Sequence, residues 1–317
     1  RDVSGMSSGV DSDGGFVIPT EISNTLMKDT YDTGILTRKC AKVGLGANKI
    51  TINGVDETSR ATGSRWGGLQ IYWADEADTA TAKKPKFRQI ELKLKKLLGL
   101  CYITEEMMED APIMMSIINQ AFPEEFGFML DDGIIRGNGT GQLLGILNSG
   151  SLVTVTKESG QANDTVVYEN ILKMYSRMQA KYRSKAEWYI NQEIEPQLFS
   201  MSMQIGTGGV PVYMPAGGIS GNQYGTLFGR PVVPIEQCSA LGDVGDIIFG
   251  DFSNYLLATK SGKENVQTDS SMHVRFLYDE MVFRFKLRVD GQPLRNSKLT
   301  PYKGANELSP FVTLGAR

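Results

Sequence analysis

The clearest alternation of hydrophobic and polar residues falls in two segments that flank a long polar stretch. Residues 49–53 read Lys, Ile, Thr, Ile, Asn, and residues 88–97 place Ile90 and Leu92 between polar side chains. A period of two predicts β-strands with one apolar and one polar face. The two segments are therefore predicted to pair as a β-hairpin whose distal part, residues 56–86, projects from the body.

Two interpretations of this projecting stretch remain open from the residues alone. Residues 56–86 are rich in Gly, Ser, Thr, Ala and charged side chains and include Trp66 and Trp73. So long a structureless stretch is uncommon in a compact domain unless it is functional, and an isolated hairpin is only marginally stable. Since aromatic side chains are enriched in interfaces, the stretch could lie on a neighbouring subunit. Equally, it could be a mobile surface loop whose tryptophans pack into the core.

A long amphipathic helix is predicted after the hairpin, over residues 113–136. Asp110 can cap this helix and Pro112 suits its first turn. Pro123 and Gly127 predict a kink near its middle. The apolar residues that recur every three or four positions are Ile113, Ile117, Ile118, Ala121, Phe122, Phe126, Met129, Leu130 and Ile134.

Gly137, Gly139 and Gly141 follow this helix in one short run. A phosphate-binding glycine loop follows a strand and opens a helix, whereas this run closes one. A turn is therefore the favoured interpretation. Four acidic residues lie near the start of the helix, namely Glu105, Glu106, Glu109 and Asp110. Negative charge at this end of a helix interacts favourably with the helix dipole, and we favour this interpretation over a pair of catalytic carboxylates.

Strands and helices alternate in the central part of the chain, which predicts an α/β block. Hydrophobic spacing predicts helices over residues 168–182 and 195–203, and glycine and proline predict a long loop over 206–225. Short strands are predicted at residues 188–191, 232–233, 247–251 and 255–257. Strands at 272–289, with a bend at Asp279-Glu280, and at 311–314 are expected to return the chain to its first domain.

Composition and charge narrow the functional classes. Of 317 residues, 35 are glycine without a Gly-X-Y period, which indicates turns and loops. The net charge of −3 disfavours a dedicated nucleic-acid binder. The sequence contains no run of 18 apolar residues, so no membrane span is predicted.

Candidate chemistry is sparse. His273 is the only histidine and lies in an alternating segment, so we predict a strand residue rather than a catalytic base. Cys40, Cys101 and Cys238 are far apart, which disfavours a disulfide framework or a zinc site. We therefore predict no catalytic, cofactor-binding or metal-binding residue. A soluble hydrolase or nucleotide-binding enzyme is the alternative from another functional class.

Five short stretches resemble one family in their order and spacing over nearly the whole chain. They are DGGFVIP at 13–19, EEMMEDAPIMMSII at 105–118, GNGTGQLLGIL at 137–147, LFGRPVVP at 227–234 and IFGDF at 248–252. Each stretch alone is a weak signal. Together they make the sequence similar to the tailed-bacteriophage major capsid proteins of the Hong Kong 97 type.

This resemblance implies an α+β fold with an N-terminal arm, an extended β-hairpin loop, a peripheral domain with a long spine helix, and an α/β axial domain. The implied ranges are 1–25 for the arm, 26–46 for the first part of the peripheral domain, 47–98 for the extended loop, 99–149 for the peripheral domain with the spine helix, 150–270 for the axial domain and 271–317 for the C-terminal peripheral strands.

The resemblance also implies a function and its partners. Copies of such a chain form hexamers and pentamers that close an icosahedral phage head around double-stranded DNA, held without sequence specificity. Portal, scaffolding segment, maturation protease and decoration proteins are further expected partners, and no cofactor or membrane is expected. The implied location is the virion, with assembly in the host cytoplasm. A start at Arg1 without methionine is consistent with removal of a scaffolding segment.

Residues of the extended loop are the implied inter-subunit contacts, namely Trp66, Trp73, Lys83, Lys84 and Lys86. Some family members join a loop lysine to an asparagine of a neighbour with a glutamate assisting. Glu280 could assist here, but His273 falls where the asparagine is expected, so this cross-link is not predicted. An encapsulin-type shell around protein cargo shares the fold and is the alternative within it.

Overall fold

The computed structural model describes residues 34–317 except 77–78, 80, 111, 206–207, 212–224 and 263–265, and the predicted arm at 1–25 lies outside the described residues. The helices are α1 Ile35–Lys39, α2 Glu105–Asp110, α3 Pro112–Arg136, α4 Tyr168–Arg177 and α5 Glu195–Ser200. The strands are β1 Ala41–Leu45, β2 Lys49–Val55, β3 Phe87–Lys93, β4 Lys95–Thr104, β5 Val153–Val155, β6 Glu187–Ile190, β7 Ser202–Ile205, β8 Gly208–Pro211, β9 Thr226–Leu227, β10 Arg230–Pro234, β11 Ile247–Gly250, β12 Tyr255–Lys260, β13 Gln267–Ser271, β14 Glu280–Pro293 and β15 Phe311–Leu314.

A five-stranded sheet is built around the long strand β14. On one edge β14 pairs with β4 over its first ten residues; on the other it pairs first with β13 and then with β12, which continues to β1. Phe283, Phe285 and Leu287 alternate along β14 and are buried on one face. Helix α3 packs there, with the Phe122 and Phe285 rings stacked at 4.0 Å. Buried and exposed residues therefore alternate along β14, so the sheet has one apolar face and α3 packs on that face.

The spine helix follows its predicted pattern in its second half. Phe126, Leu130 and Ile134 are buried in the core shared with the five-stranded sheet, which confirms the predicted stripe there. Met129, predicted in the same stripe, is half exposed, and Ile135 is buried instead. Pro123 lies inside the helix.

A six-stranded sheet has the order β5-β15-β11-β6-β10-β9 and is covered by α4. Its core places Ile171 and Met174 of α4 against the strands. The rings of Trp188 and Phe249 stack at 4.1 Å within that core. Apart from β15, the elements of this sheet and α4 come from the part of the chain that was predicted to be an α/β block.

The sheets divide the chain differently from the predicted ranges at two places. Strands β12 and β13, from the predicted axial range, belong to the five-stranded sheet, and β15, predicted to return to the first domain, belongs to the six-stranded sheet. All four residues of β15 are buried, so the sequence pattern shows no face that would identify its sheet.

The ends of two helices, one loop and one strand also differ from the prediction. The helix predicted at 168–182 ends at Arg177, because the Met178 backbone becomes extended and forms a bridge with Ser309. The helix predicted at 195–203 ends at Ser200 and strand β7 follows. Strand β8 lies inside the loop predicted at 206–225. Residues His273–Tyr278, predicted as strand, form a 3-10 helix.

Candidate assembly surface

The extended loop begins as the predicted hairpin. Strands β2 and β3 pair antiparallel from Lys49 opposite Lys93 to Val55 opposite Phe87. The apolar face of this hairpin lies on the five-stranded sheet, where Leu92 and Leu45 are buried together with residues of β12. The root of the hairpin is thus part of the body, and only the distal part projects.

The first part of the distal segment is held to the C-terminal stretch of the same chain. Arg60 N donates to Thr300 O at 2.8 Å, and Thr300 N donates to Thr58 O at 3.0 Å. The guanidinium of Arg295 donates to the carbonyl of Glu57. Arg60 in turn pairs with the Glu57 carboxylate at 2.6 Å, which lowers the pKa of Glu57. These contacts fix the direction in which the loop leaves the body.

A tight turn then orients Trp66. Leu69 N donates to Arg65 O at 2.8 Å, and Arg65 N donates back to Leu69 O at 2.9 Å. Inside this turn the φ angle of Trp66 is 52°, an uncommon value for a residue with a side chain. Gly67 has a φ of 76°, and a Cβ there would lie 2.5 Å from Lys86 O, so only glycine fits.

Large apolar side chains around this turn face solvent. Trp73 is 103% exposed, Ile71 is 96% exposed and Trp66 is 68% exposed. Leu69, Tyr72 and Phe87 are also exposed. So many exposed large apolar side chains within one loop are typical of an interaction site. The alternative in which the tryptophans pack into the core of their own chain is therefore wrong.

The predicted loop lysines lie on the returning side of the same loop. Lys83, Lys84 and Lys86 are all exposed. The Lys86 backbone pairs across the loop, since its amide donates to Gly67 O and its carbonyl accepts from Asp56 N, both at 2.9 Å. Of the three lysines, the position of Lys86 is thus set by main-chain hydrogen bonds.

The glycine run after the spine helix forms the predicted turn and is not a phosphate loop. Gly137 N donates to Gly133 O at 3.0 Å and closes the helix. Gly139 and Gly141 have φ angles of 78° and 73°. The turn is fixed to the sheet by Lys95, whose Nζ donates to Gly139 O at 2.9 Å and to a second turn carbonyl. It therefore anchors the helix end to β4.

A charged surface lies on β14, and the sequence pattern alone predicts no role for it. On the face of β14 opposite α3, Arg284, Lys286 and Arg288 alternate with the buried phenylalanines. Asp269 of β13 accepts from Lys286 at 2.6 Å and from Arg284 at 2.8 Å. These hydrogen bonds, that of Lys286 first, lower the pKa of Asp269 to about 2. The alternation of cations along β14 was the available signal.

Among the described residues, the carboxylates Glu105 and Glu280 line one concavity, and neither His273 nor a cysteine lines it. His273 is exposed on its 3-10 helix, and Glu280 pairs with Arg275 at 3.7 Å. Burial raises the pKa of the Cys40 and Cys238 thiols well above their ordinary range, so they are not poised as nucleophiles. Over the described part of the chain, no group of three or more His, Cys, Asp or Glu side chains is placed to hold a metal ion.

Within the residues that the structure describes, no helix combines the length and the apolar character that crossing a membrane requires.

Comparison with known proteins connects this geometry to one family. Residues 14–304 match the model described as the phage capsid family. The fold is similar to a structure described as the capsid of a native GTA particle computed with C5 symmetry, at 17% identity and a TM-score of 0.76, over 98% of this chain and 100% of that chain.

Two phage structures give a similar result. A chain from Microbacterium phage Oxtober96 is 14% identical with a TM-score of 0.67, over 96% of this chain and 98% of that chain. A chain from Mycobacterium phage Bobi is 13% identical with a TM-score of 0.66, over 98% of both chains. No curated protein sequence matches. The structural likeness confirms the α+β fold expected from the sequence.

Proposed function

From the premise that this chain belongs to the phage capsid family, we propose that the extended loop of each subunit lies on a neighbouring subunit and holds the shell together. The chain is a structural major capsid protein of an icosahedral shell and is not an enzyme. Its copies assemble as hexamers and pentamers, and the closed particle encloses double-stranded DNA after assembly in the host cytoplasm. The five-stranded sheet with α3 is the core of the peripheral domain, and the six-stranded sheet that of the axial domain.

The exposure of the loop carries this proposal. Trp73 and Ile71 are almost completely exposed at the end of a hairpin whose root is firmly packed. A Trp side chain offers about 150–250 Å² of surface to bury, so solvent exposure of both leaves several kcal/mol of burial energy unused. A second copy supplies the missing surface. Because every subunit carries the same loop, each contact is repeated around the particle and the weak contacts add up.

Charge also supports packaged DNA as the cargo. The net charge of −3 gives no overall attraction between the subunit and nucleic acid. A shell that does not bind its genome tightly leaves the DNA free to move during packaging and release. The nucleic acid is thus enclosed and is not read by sequence.

The experiment is electron microscopy of the purified protein over a range of concentrations, with light scattering in parallel. We expect hexamers or closed particles above a threshold concentration. A protein that stays monomeric at every concentration would contradict the proposed role of the loop. Nuclease protection of DNA in particles recovered from an expressing host tests the cargo, and enclosed protein without DNA would instead favour an encapsulin-type shell.

A further inference from the structure

The face of the five-stranded sheet opposite α3 is a regular platform of side chains. Residues that lie directly opposite each other in neighbouring strands point to the same face. In the register, Lys286 of β14 lies opposite Leu98 of β4, and Arg288 lies opposite Lys96. Arg284 precedes them on the same face of β14. Because alternate residues of a strand are roughly 6.7 Å apart, the three cations of β14 form an evenly spaced row along the middle of the platform.

The middle of the platform is strongly cationic. A concavity of about 300 Å³ opens on it, and its described lining contains no acidic side chain and five basic ones, which we call the cationic face: Lys96, Lys260, Arg284, Lys286 and Arg288. Asp269 is the adjacent carboxylate and accepts from Lys286 and Arg284. Over the described ranges Lys96 and Arg288 form no ion pair. Like charges this close repel each other, so an incoming anion relieves that repulsion.

An apolar row runs parallel to the cations on the neighbouring strand. Leu98, Leu100 and Tyr102 of β4 are 47%, 51% and 47% exposed. Paired strands are about 4.8 Å apart, so this row lies directly beside the cations of β14. The guanidinium of Arg275 lies 4.9 Å from the centre of the Tyr102 ring and helps to hold the ring in place. The platform thus offers one cationic row and one apolar row.

Two parallel rows of this kind match a single strand of nucleic acid. Each nucleotide carries one negative charge on its phosphate, and the unstacked bases of a single strand present flat apolar faces. The phosphates follow the cations of β14 while the bases lie on Leu98, Leu100 and Tyr102. Duplex DNA satisfies only the cations, because its bases are stacked inside the helix. A sheet whose exposed side chains stack bases is a recurring device for holding single strands.

We propose that the cationic face, together with the apolar row beside it, binds a single strand of nucleic acid. The contacts use phosphates and base faces, which RNA and single-stranded DNA share, so the strand is held without sequence preference. The net charge of −3 on the whole chain does not oppose this binding, since charges act over only about 8 Å at physiological salt. This inference goes beyond the proposed function and concerns the subunit before it assembles.

Fluorescence anisotropy of labelled strands tests the binding. The probes are uridine and thymidine strands of about 12 nucleotides and a DNA duplex of the same length, each titrated with the full chain below its assembly threshold in about 50 mM and 500 mM salt. One variant combines Lys96→Gln with Arg288→Gln, and another is Tyr102→Ala. The matched controls are Lys185→Gln and Tyr302→Ala, an exposed cation and an exposed tyrosine outside the five-stranded sheet. Thermal unfolding verifies that each variant folds.

We expect both single strands to bind about equally and more tightly than the duplex. The Lys96→Gln, Arg288→Gln variant weakens binding at least about tenfold at low salt, and the slope of log affinity against log salt falls by about 0.7 for each cation removed. Tyr102→Ala weakens binding at least about fivefold and leaves that slope unchanged, because it removes a stacking contact and no charge. Asp269→Asn removes the carboxylate beside the face and strengthens binding. Both controls bind like the unaltered chain.

Three results overturn the inference. One is unchanged affinity in the folded Lys96→Gln, Arg288→Gln variant. Another is a duplex that binds at least as tightly as the single strands, with no effect of Tyr102→Ala, which assigns the face to phosphates alone. The third is absence of binding to either strand at low salt; capture of a labelled peptide that alternates glutamate and leucine then assigns the face to protein. Particle formation by the unaltered chain is measured separately, so none of these results refutes the proposed function.

Discussion

Replacement of Trp73 separates the energy of assembly from the energy of folding. The side chain is 103% exposed in the subunit, so Trp73→Ala is expected to change the free energy of unfolding of the subunit by less than about 0.5 kcal/mol. Burial of a Trp against a neighbour removes about 150–250 Å² from water. At about 25 cal/mol per Å² this contributes about 4–6 kcal/mol to the contact.

Truncation to alanine keeps only a small part of that contribution, so about 3–5 kcal/mol is lost from each loop contact. Even if relaxation of the shell recovers half of the loss, the threshold concentration for assembly rises at least about tenfold. Light scattering against protein concentration measures this threshold, and chemical denaturation measures the stability of the subunit. Trp73→Phe keeps most of the apolar area and is the matched control, with a threshold close to that of the unaltered chain.

Two outcomes would refute the reasoning. A fall of more than about 1 kcal/mol in subunit stability would mean that the Trp73 side chain packs on its own chain. An unchanged assembly threshold, with the subunit intact, would mean that the side chain stays in solvent inside the shell.

Three further predictions concern the fold. Gly137→Ala places a Cβ 2.5 Å from Gly133 O and should lower the free energy of unfolding by at least about 2 kcal/mol, measured by chemical denaturation. Gly141→Ala has open space around its Cβ but keeps a strained backbone, so it should lower the free energy of unfolding by about 1 kcal/mol in the same assay. Trp188→Ala, which removes a fully buried ring, should cost about 3–5 kcal/mol in the same assay. The ion pairs of Asp269 hold its folded pKa near 2, below its unfolded value, so their stabilisation is present above pH 4 and is lost as pH falls toward 2. Asp269→Asn should therefore reduce the loss of stability between pH 4 and 2, and an unchanged acid dependence would contradict the assignment.

The sequence predicted those elements in which one face is buried and the other exposed. The strands of the hairpin and β14 showed a period of two because Ile90, Leu92 and Phe285 face a core while their neighbours face water. The second half of the spine helix was predictable for the same reason. Residues His273–Tyr278 were mistaken for a strand because Phe276 and Tyr278 alternate but are exposed, so burial does not produce that alternation.

The assembly surface was predictable only in part. The loop and its tryptophans were identified from length and composition, but whether Trp66 and Trp73 pack inward or outward depends on the turn at Arg65–Leu69 and on the contacts of Arg60 with Thr300. The alternation of basic residues along β14 indicated a charged edge, but Lys96 and Lys260 are brought beside Arg288 only by the order of the strands, so the full set of cations was not predictable. Long-range strand pairing is a property of the whole chain and has no local signature.

The most direct test of the central claim is an electron cryo-microscopy map of the assembled particle at side-chain resolution. The account predicts that residues 63–76 of each subunit lie on the adjacent subunit, with Trp73 enclosed between the two. A map in which the loop contacts only its own chain, or extends into solvent with Trp73 uncovered, would contradict it.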